Sequence, residues 1–149
     1  MSTSMSQSER EQFLADVHVG MLSVADGAHA GPLIVPVWYS YEPGGPVSVS
    51  TGGSTRKAAA VRAAGRFSLC AQDERPPYKY VTVEGPAVIE PVTLEERRGL
   101  ARRYLGPEGG DAFIAAEAGS GGGGEDDDNV VIRMTPEHWL TADFSKAGG

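Results

Sequence analysis

The stretch YKYVTVEGPAVIEPV, from Tyr78 to Val92, alternates apolar and polar residues with the period of two that is typical of a β-strand. Gly85 and Pro86 interrupt the alternation, and both residues weaken a regular hydrogen-bond ladder. The pattern therefore predicts one long strand that bends at a bulge. Because a long bent strand lets a small sheet curl back on itself, this stretch indicates a closed or nearly closed antiparallel barrel.

Shorter strand patterns lie on both sides of this stretch. They are VGMLSVA (19–25), GPLIVPVWYSYE (31–42), VSVST (47–51), RFSLCA (66–71) and VVIRM (130–134). A polar turn joins the first two into a predicted hairpin, and EPGGP at 42–46 is a strong turn signal. Six or seven antiparallel strands in meander order indicate a mainly β fold, a β-barrel with added helices. We expect one domain over residues 1–149.

Three or four short helices are predicted around these strands. They cover about 8–15, 58–64, 93–105 and 110–118. The first and third begin with the capping-box pairs Ser8–Glu11 and Thr93–Glu96, and Gly65 ends the second. The polar segment 119–129, GSGGGGEDDDN, has no apolar residue to bury and is predicted to be a flexible loop inside the domain.

The composition excludes several function classes. A net charge of -7 over 149 residues argues against general nucleic-acid binding, which needs a clustered basic face. No apolar stretch approaches the ~20 residues of a membrane span, and the N-terminus lacks the pattern of an export signal. Cys70 is the only cysteine, which leaves neither a disulfide framework nor a cysteine metal site. A reducing cytoplasm is therefore the expected compartment.

Several cofactor and catalytic motifs are absent from the sequence. The stretch STGGSTRKAAAVR (50–62) has adjacent glycines and an alanine after the lysine, so it lacks the spacing of a Walker phosphate loop. No dinucleotide-binding glycine fingerprint occurs between a strand and a helix. His18, His29 and His138 have neither metal-ligand spacing nor a partnering nucleophile. The acidic run at 125–128 is not expected to hold a metal, because consecutive residues on a flexible segment cannot present a fixed geometry.

The stretch 50–62 nevertheless has the chemistry of an anion site. Ser54 or Thr55 can cap the following helix, whose first N–H groups point outward, and Arg56 and Lys57 add two positive charges. In isolation it is better explained as a helix cap with two solvated cations. The charge distribution favours the anion site, because residues 54–79 contain six cations and two acids in a chain of net charge -7. A phosphorylated cofactor fits both facts.

A proline-interrupted aromatic strand precedes that stretch. Pro36 cannot donate to a ladder, so it is expected at a sheet edge or a bulge. Trp38 and Tyr39 point to opposite faces of a strand, so at least one of them is expected in the core. Free backbone groups beside an aromatic wall suit a flat heterocycle that needs stacking and a few hydrogen bonds.

In order and spacing, these segments resemble the split β-barrel flavin and deazaflavin proteins related to pyridoxamine 5'-phosphate oxidase. The resemblance is carried by GMLSV, PLIVPVWYSYEP, VSVSTGGSTRKAAAVRAAGRFSLC and YKYVTVEGPAVI, and it covers about residues 13–90. EERRGLARRYLG and VVIRMTPEHWLTADF are also similar to that family. The chain looks most similar to the branch of F420-dependent oxidoreductases that is closest to pyridoxamine phosphate oxidase. It lacks the R-x-x-L-L-K phosphate signature of the true oxidases.

The resemblance implies an FMN-binding split-barrel fold and a homodimer with two cofactor sites at its interface. It implies that the strand containing Pro36, Val37 and Trp38 lies along the cofactor ring. It also implies that the segment with Ser50, Thr51, Ser54, Thr55, Arg56 and Lys57 receives the phosphate end. It further implies that Tyr78 and Lys79 approach the cofactor from the partner subunit. Lys57 matches the recurrent phosphate lysine, and neither a catalytic residue nor a metal ligand is assigned.

The expected function is that of an F420-dependent oxidoreductase, which transfers a hydride between the deazaflavin and a small conjugated organic substrate. The spread of cations favours F420, which carries a phosphodiester and an oligoglutamate tail, over FMN. Two alternatives stay open at this point. One is an FMN-binding flavoprotein similar to pyridoxamine phosphate oxidase, and the other is a non-catalytic carrier of a cofactor or a tetrapyrrole.

Overall fold

A computed structural model describes residues 2–27, 30–119 and 128–148. Its strands are β1 (Gly20–Val24), β2 (Leu33–Val37), β3 (Val47–Gly52), β4 (Arg66–Asp73), β5 (Lys79–Pro91), β6 (Asn129–Met134) and β7 (His138–Asp143). The helices are α1 (Gln7–Ala15), α2 (Arg56–Ala64) and α3 (Leu94–Gly119), and a 3-10 helix follows over Phe144–Gly148. All strand pairs are antiparallel, in the order β2-β1-β4-β5-β6-β3, with β7 beside β5. The predicted mainly β fold is confirmed.

Strand β5 holds the curled sheet together, as its length predicted. Residues 79–86 pair with β4, and residues 79–84 also pair with β7. From Ala87 onward the strand pairs with β6 instead. Gly85 lies at this exchange of partners, where a Cβ atom would stand 1.8 Å from the carbonyl oxygen of Thr135. Only glycine permits that approach of two backbones.

A pair of backbone hydrogen bonds links the two edges of the sheet. The N–H of Ser40, just beyond β2, donates to the carbonyl of Ser48 on β3 at 2.9 Å, and the reverse bond measures 3.0 Å. The sheet therefore curls into a nearly closed barrel. Pro36 lies on β2, an end strand of the sheet order, where its missing N–H is tolerated. The edge placement predicted for Pro36 is confirmed.

The core lies on the inner face of the curled sheet. Leu22, Leu69 and Val83 are cross-strand neighbours on β1, β4 and β5, and each is fully buried. Tyr39 is fully buried as well, and its hydroxyl donates to the carbonyl oxygen of Leu14 at 2.7 Å. Of the two adjacent aromatic residues, Tyr39 is thus the core residue. Burial of these apolar side chains is the main stabilising contribution in such a barrel.

The predicted capping box of α1 is wrong by two residues. Ser6, with extended backbone, is the N-cap, and its partner is Glu9, whereas Ser8 already lies inside the helix. Both serines stand three residues before a glutamate, so the local pattern does not distinguish them. Lys146 decides between them, because its Nζ donates to Glu9 at 2.7 Å. That bond, with those from Ser6, lowers the pKa of Glu9 to about 2.

The other helices follow the predicted pattern with shifted ends. Thr55 caps α2, which starts two residues earlier than expected, and Gly65 ends it in the left-handed conformation. The third and fourth predicted helices form one element, α3, that bends at Gly106, where φ is 80° and ψ is 169°. Its second half starts at Pro107 and not at 110, because proline suits a first helical position. Most of the predicted flexible loop, residues 120–127, lies outside the described residues.

Within the described ranges, none of the helices combines the length and the apolar character that a membrane span requires.

Candidate functional site

A cavity of about 340 Å³ lies between the ends of β2 and β3, the first turn of α2 and both halves of α3. Its walls are formed by Pro36, Val37, Trp38, Ser50, Thr51, Lys57, Arg97, Leu100, Ala101, Phe113, Ile114, Glu117 and Asn129. Six of these are residues that the sequence predicted for a cofactor site. The fold therefore brings the strand residues 36–38, the end of β3 and Lys57 together around one space.

Lys57 is the distinctive charge of this cavity. Its Nζ donates to the hydroxyl oxygen of Thr51 at 2.8 Å. Burial lowers the pKa of Lys57, since a desolvated ammonium group is disfavoured. In the part of the chain that the structure describes, no carboxylate lies within ion-pair distance of Lys57. An anionic group of a ligand would supply the missing counter-charge.

Thr55 shapes the turn and does not line the cavity. Its hydroxyl donates to the carbonyl oxygen of Gly52 at 2.8 Å and accepts from the N–H of Ala58 at 3.3 Å. The same hydroxyl lies 3.4 Å from that of Thr51. Thr55 therefore fixes the start of α2 and, through Thr51, the position of the acceptor that holds Lys57.

Ser54 and Arg56 also lie outside the cavity wall, and both are engaged by carboxylates of the chain itself. The N–H and hydroxyl of Ser54 donate to Asp128 Oδ2 at 3.2 and 2.5 Å. Arg56 Nε donates to Asp26 Oδ2 at 2.8 Å. Of the residues predicted for the anion site, Ser50, Thr51 and Lys57 line the cavity, whereas Ser54, Thr55 and Arg56 do not.

The continuous basic region that the sequence suggested does not form. Arg66 opens β4, whereas Arg75 and Lys79 follow its other end, roughly 25 Å away along an eight-residue strand. Each of these cations has its own carboxylate. The pairs are Arg66 with Glu137, Arg75 with Asp73 and Lys79 with Asp143. These cations are close in sequence but far apart in space, because the extended strand β4 separates Arg66 from Arg75 and Lys79.

Trp38 forms a wall of the cavity and contacts both halves of α3. Its ring stacks on Tyr104 with centroids 4.8 Å apart and planes 7° apart, and it meets Phe113 at 5.9 Å. Tyr104 also donates to the carbonyl oxygen of His18 at 2.6 Å and accepts from the N–H of Tyr39 at 3.0 Å. One face of Trp38 is therefore covered. Its role is to hold α3 against β2 beside the site.

Helix α3 contributes cavity residues that the sequence analysis missed. Leu100, Phe113 and Ile114 give an apolar roof, and Arg97 pairs with Glu117 across the two halves of the helix. The Arg97 side chain is only 11% exposed. No local signal identifies these residues, because the two members of the ion pair are twenty positions apart and meet only when α3 folds back at Gly106.

Tyr78 and Lys79 lie away from this cavity within the same chain. The Tyr78 ring stacks beside Phe144 with centroids 5.9 Å apart, and its hydroxyl donates to Gln72 Oε1 at 2.9 Å. Lys79 Nζ lies 4.0 Å from an oxygen of Asp143. Neither residue is among those that line the cavity at Lys57.

A larger cavity, about 580 Å³, lies at the opposite ends of β3 and β6. It is lined by Tyr41, Trp139 and several prolines, and it contains none of the predicted site residues. Its cation, Arg133, is paired with Glu90 and Glu96. The smaller cavity is the better candidate, since Lys57 faces its apolar walls and has no carboxylate partner among the described residues.

Metal binding and histidine chemistry find no support in the described residues. Within them, no three His, Cys, Asp or Glu side chains come together as metal ligands. His18 stacks on Phe13 and shares a hydrogen bond of 3.0 Å with the carbonyl oxygen of that residue. His138 lies beside Glu137 in an exposed position. His29 lies outside the described residues.

No protein-family model and no curated protein matches this sequence. Solved structures do match the fold. A conserved hypothetical protein of Mycobacterium tuberculosis aligns with a TM-score of 0.76 and 21% identity, over 99% of this chain and 91% of that one. An F420 reductase gives 0.67 and 22%, over 87% and 94%. A putative pyridoxamine 5'-phosphate oxidase from Listeria innocua gives 0.62 and 14%, over 91% and 96%. The chain therefore has the split-barrel fold, as predicted.

Proposed function

We propose that this protein is an oxidoreductase that binds a flavin-like cofactor in the 340 Å³ cavity, and that the cofactor is F420. The observation that carries the proposal is Lys57, a partly desolvated cation that has a hydroxyl acceptor but no carboxylate partner among the described residues. It stands at one side of a cavity with apolar walls, in a fold that an F420 reductase shares. Burying an ammonium group without a counter-charge is costly, which favours an anionic ligand.

The residues present fit the proposed cofactor in two respects. Thr51 and Lys57 offer a hydroxyl and a cation for a phosphate-type group. Val37, Leu100 and Ile114 offer apolar surface for a ring system. The cavity is at the lower end of the range for small-molecule sites, about 300–1,000 Å³, so a ligand with a long tail would extend beyond it.

When bound, F420 supplies hydride transfer, which is its own chemistry. The chain's part is binding and orientation. Lys57 and Thr51 hold the anionic end, and Trp38 with Phe113 fixes the wall against which a ring would lie. The apolar roof on α3 excludes water from the space beside the ring, which strengthens every electrostatic contact there. These roles would bind and position a cofactor for reaction with a substrate.

The preference for F420 over FMN rests on charge. In the sequence, the spread of cations favoured F420. In the structure, carboxylates of the chain itself pair with several of these cations, among them Arg56, Arg75 and Lys79. Among the described residues that line the cavity, Lys57 is the cation without a carboxylate partner. At the phosphate group itself, a single cation matches the one charge of a phosphodiester better than the charge of a phosphate monoester, which is ≈ −1.5 to −2 at pH 7, while the charged tail of F420 would lie outside the cavity.

We also propose that the chain forms a homodimer in which a second copy binds the outer face of the sheet. Met21 and Leu140 stand in one row across the strands, and both are exposed. Tyr78 and Phe144 continue this apolar face. A homodimer formed here would bring Tyr78 and Lys79 from the second copy toward the cofactor, the arrangement that the resemblance implies. Contiguous exposed apolar surface of this kind is typical of an interaction site.

The test is a titration of the purified protein with F420 and, separately, with FMN and haem, followed by absorbance and by protein fluorescence. We expect saturable binding of F420, weaker binding of FMN and none of haem. Reduced F420 should then be oxidised when small conjugated ketones, aldehydes or alkenes are added. Absence of F420 binding would overturn the proposal. Tight binding of F420 without turnover across such a panel would leave a carrier as the function.

A further inference from the structure

The carboxylate of Asp128 binds the loop that precedes α2. Asp128 Oδ2 accepts both the N–H and the hydroxyl of Ser54, at 3.2 and 2.5 Å. Its backbone is fixed too, because its carbonyl oxygen accepts the N–H of Gly53 at 2.8 Å and the next residue, Asn129, pairs with Gly52. A Cβ atom on Gly53 would stand 2.7 Å from that oxygen. Asp128 is therefore held at a defined place, beside a residue that lines the candidate site.

Some charged residues around the site are paired with each other, and others have no partner of opposite charge among the described residues. Arg56 is paired with Asp26, and Arg97 with Glu117. Lys57 has no carboxylate partner among the described residues, and Asp128 contacts only neutral donors of Ser54 and no cation of the described chain. Among the described residues, the Gly52–Ser54 turn thus has a cation without a carboxylate partner, Lys57, on its inner side and an exposed carboxylate without a cation, Asp128, on its outer side.

We infer that Asp128 is a specificity-determining residue of the cofactor site, and that its fixed negative charge selects a singly charged phosphodiester over a phosphate monoester. A diester places its one charge on Lys57. The second charge of a monoester finds no cation left and is repelled by Asp128, an interaction that weakens binding of the monoester more than that of the diester. This inference rests on the proposed function, since it concerns the anionic end of the same cofactor.

The test uses two ligands that differ only at the phosphate. They are 8-hydroxy-5-deazariboflavin 5'-phosphate and the methyl ester of that phosphate, which share the ring of F420. Dissociation constants are measured at pH 7.5 by fluorescence titration for the wild type and for Asp128→Asn, which keeps an acceptor oxygen for Ser54. Asp128→Ser is a second variant, in case the amide disturbs the turn. Glu137→Gln is the matched control, because it removes one negative charge at the opposite end of β6.

The wild type should bind the methyl ester more tightly than the monoester by roughly fivefold, the scale expected for unit charges several ångströms apart near a protein surface. Asp128→Asn and Asp128→Ser should bring that ratio close to one, mainly by improving monoester binding, and Glu137→Gln should leave it unchanged.

An unchanged ratio in both Asp128 variants would overturn the inference about Asp128 but not the proposal that the protein binds F420. Binding of F420 without measurable binding of either short ligand would also overturn it, because the tail would then dominate. If none of the three ligands binds, the proposed function itself fails.

Discussion

Two adjacent cations, Arg56 and Lys57, have different environments in this protein. Arg56 is 70% exposed and paired with Asp26, so its charge is largely screened and internally balanced. Lys57 is partly buried, donates to Thr51 and has no carboxylate partner in the described part of the chain. The sequence shows two equivalent charges in one helical turn, whereas the structure assigns the cavity to Lys57 alone.

The first prediction separates these two residues. Lys57→Ala should weaken F420 binding by at least ~10-fold, because it removes a charge-assisted contact in a partly desolvated site. Arg56→Ala should change the affinity by less than about twofold, since that charge is already balanced by Asp26. Fluorescence titration measures both affinities, and thermal unfolding checks that both variants fold. Equal losses in the two variants would contradict the assignment of the anchor to Lys57.

The second prediction concerns pH. Burial places the pKa of Lys57 below its ordinary 10.5, and only the protonated form attracts an anion. Affinity for F420 should therefore be full at pH values below that lowered pKa and should fall as the pH rises through it. Lys57→Arg should bind without this fall, because arginine stays charged over the whole range. Titrations between neutral pH and pH 10.5 test this. A parallel fall in wild type and Lys57→Arg would mean that ionisation of the cofactor, and not of Lys57, causes it.

At the scale of elements, α3 makes the largest difference between sequence and structure. The barrel strands were predictable because alternation and turn signals are local properties of the chain. The roof of the cavity was not, because which face of α3 meets the barrel depends on Tyr104, Phe113 and Trp38 packing together. The start of α1 shows the same limit on a smaller scale, since Lys146, from the other end of the chain, decides which serine is the cap.

The residues of the candidate site likewise fall into two groups, those that local sequence patterns predict and those that depend on tertiary contacts. Residues 36–38 and Lys57, which line the cavity, were predictable because a broken strand and a helix start each have a local signature, whereas Thr51 was predicted through the family resemblance. Arg97 and Glu117 were not, because their contact exists only after α3 folds back on itself. The engagement of Ser54 by Asp128 is likewise a consequence of the pairing of β3 with β6. Local patterns predict the donors around a site, and tertiary contacts decide which donors stay free.

The third prediction tests the close packing of the two halves of α3. A Cβ atom on Gly110 would stand 2.6 Å from the backbone nitrogen of Arg102, whereas one on Gly99 in the same helix would meet nothing within 4 Å. Gly110→Ala should therefore push the halves apart and lower the free energy of unfolding by about 1–3 kcal/mol. Gly99→Ala should raise it by about 0.5–1 kcal/mol, because alanine favours a helix.

Denaturant unfolding of both variants measures these changes, and F420 titration of each reports on the roof of the cavity. Gly110→Ala should weaken F420 binding, since Arg97, Phe113 and Glu117 line the site from both halves. Gly99→Ala should not affect binding. If Gly110→Ala is as stable as Gly99→Ala, the two halves of α3 are not in close contact in solution.

At the scale of the whole molecule, the outer face of the sheet carries apolar side chains that the fold leaves exposed. Pro36, Met21, Cys70, Thr82 and Leu140 are successive cross-strand neighbours on β2, β1, β4, β5 and β7, so they form one row on this face. Leu140 is 62% exposed and Ile34 is 58% exposed. The inner face of the same strands is the core, and within the described part of the chain this outer row stays exposed, so we propose that a second copy of the chain covers it. Pro36 belongs both to this row and to the cavity wall, which connects the proposed interface with the site.

The fourth prediction therefore links assembly to cofactor binding. Leu140→Asp places a charge within the proposed interface, where burial without a partner is costly, and should raise the dimer dissociation constant at least ~10-fold. Val88→Asp is the matched control, because Val88 is 56% exposed but lines the 580 Å³ cavity instead. Sedimentation velocity over a range of concentrations measures the change.

Since Tyr78 and Lys79 of the second copy are proposed to contact the cofactor, Leu140→Asp should also weaken F420 binding at protein concentrations where the variant is monomeric. A higher protein concentration should restore binding. A monomeric variant with undiminished F420 affinity would show that one chain completes the site alone, and a wild type that is monomeric at all concentrations would remove the interface.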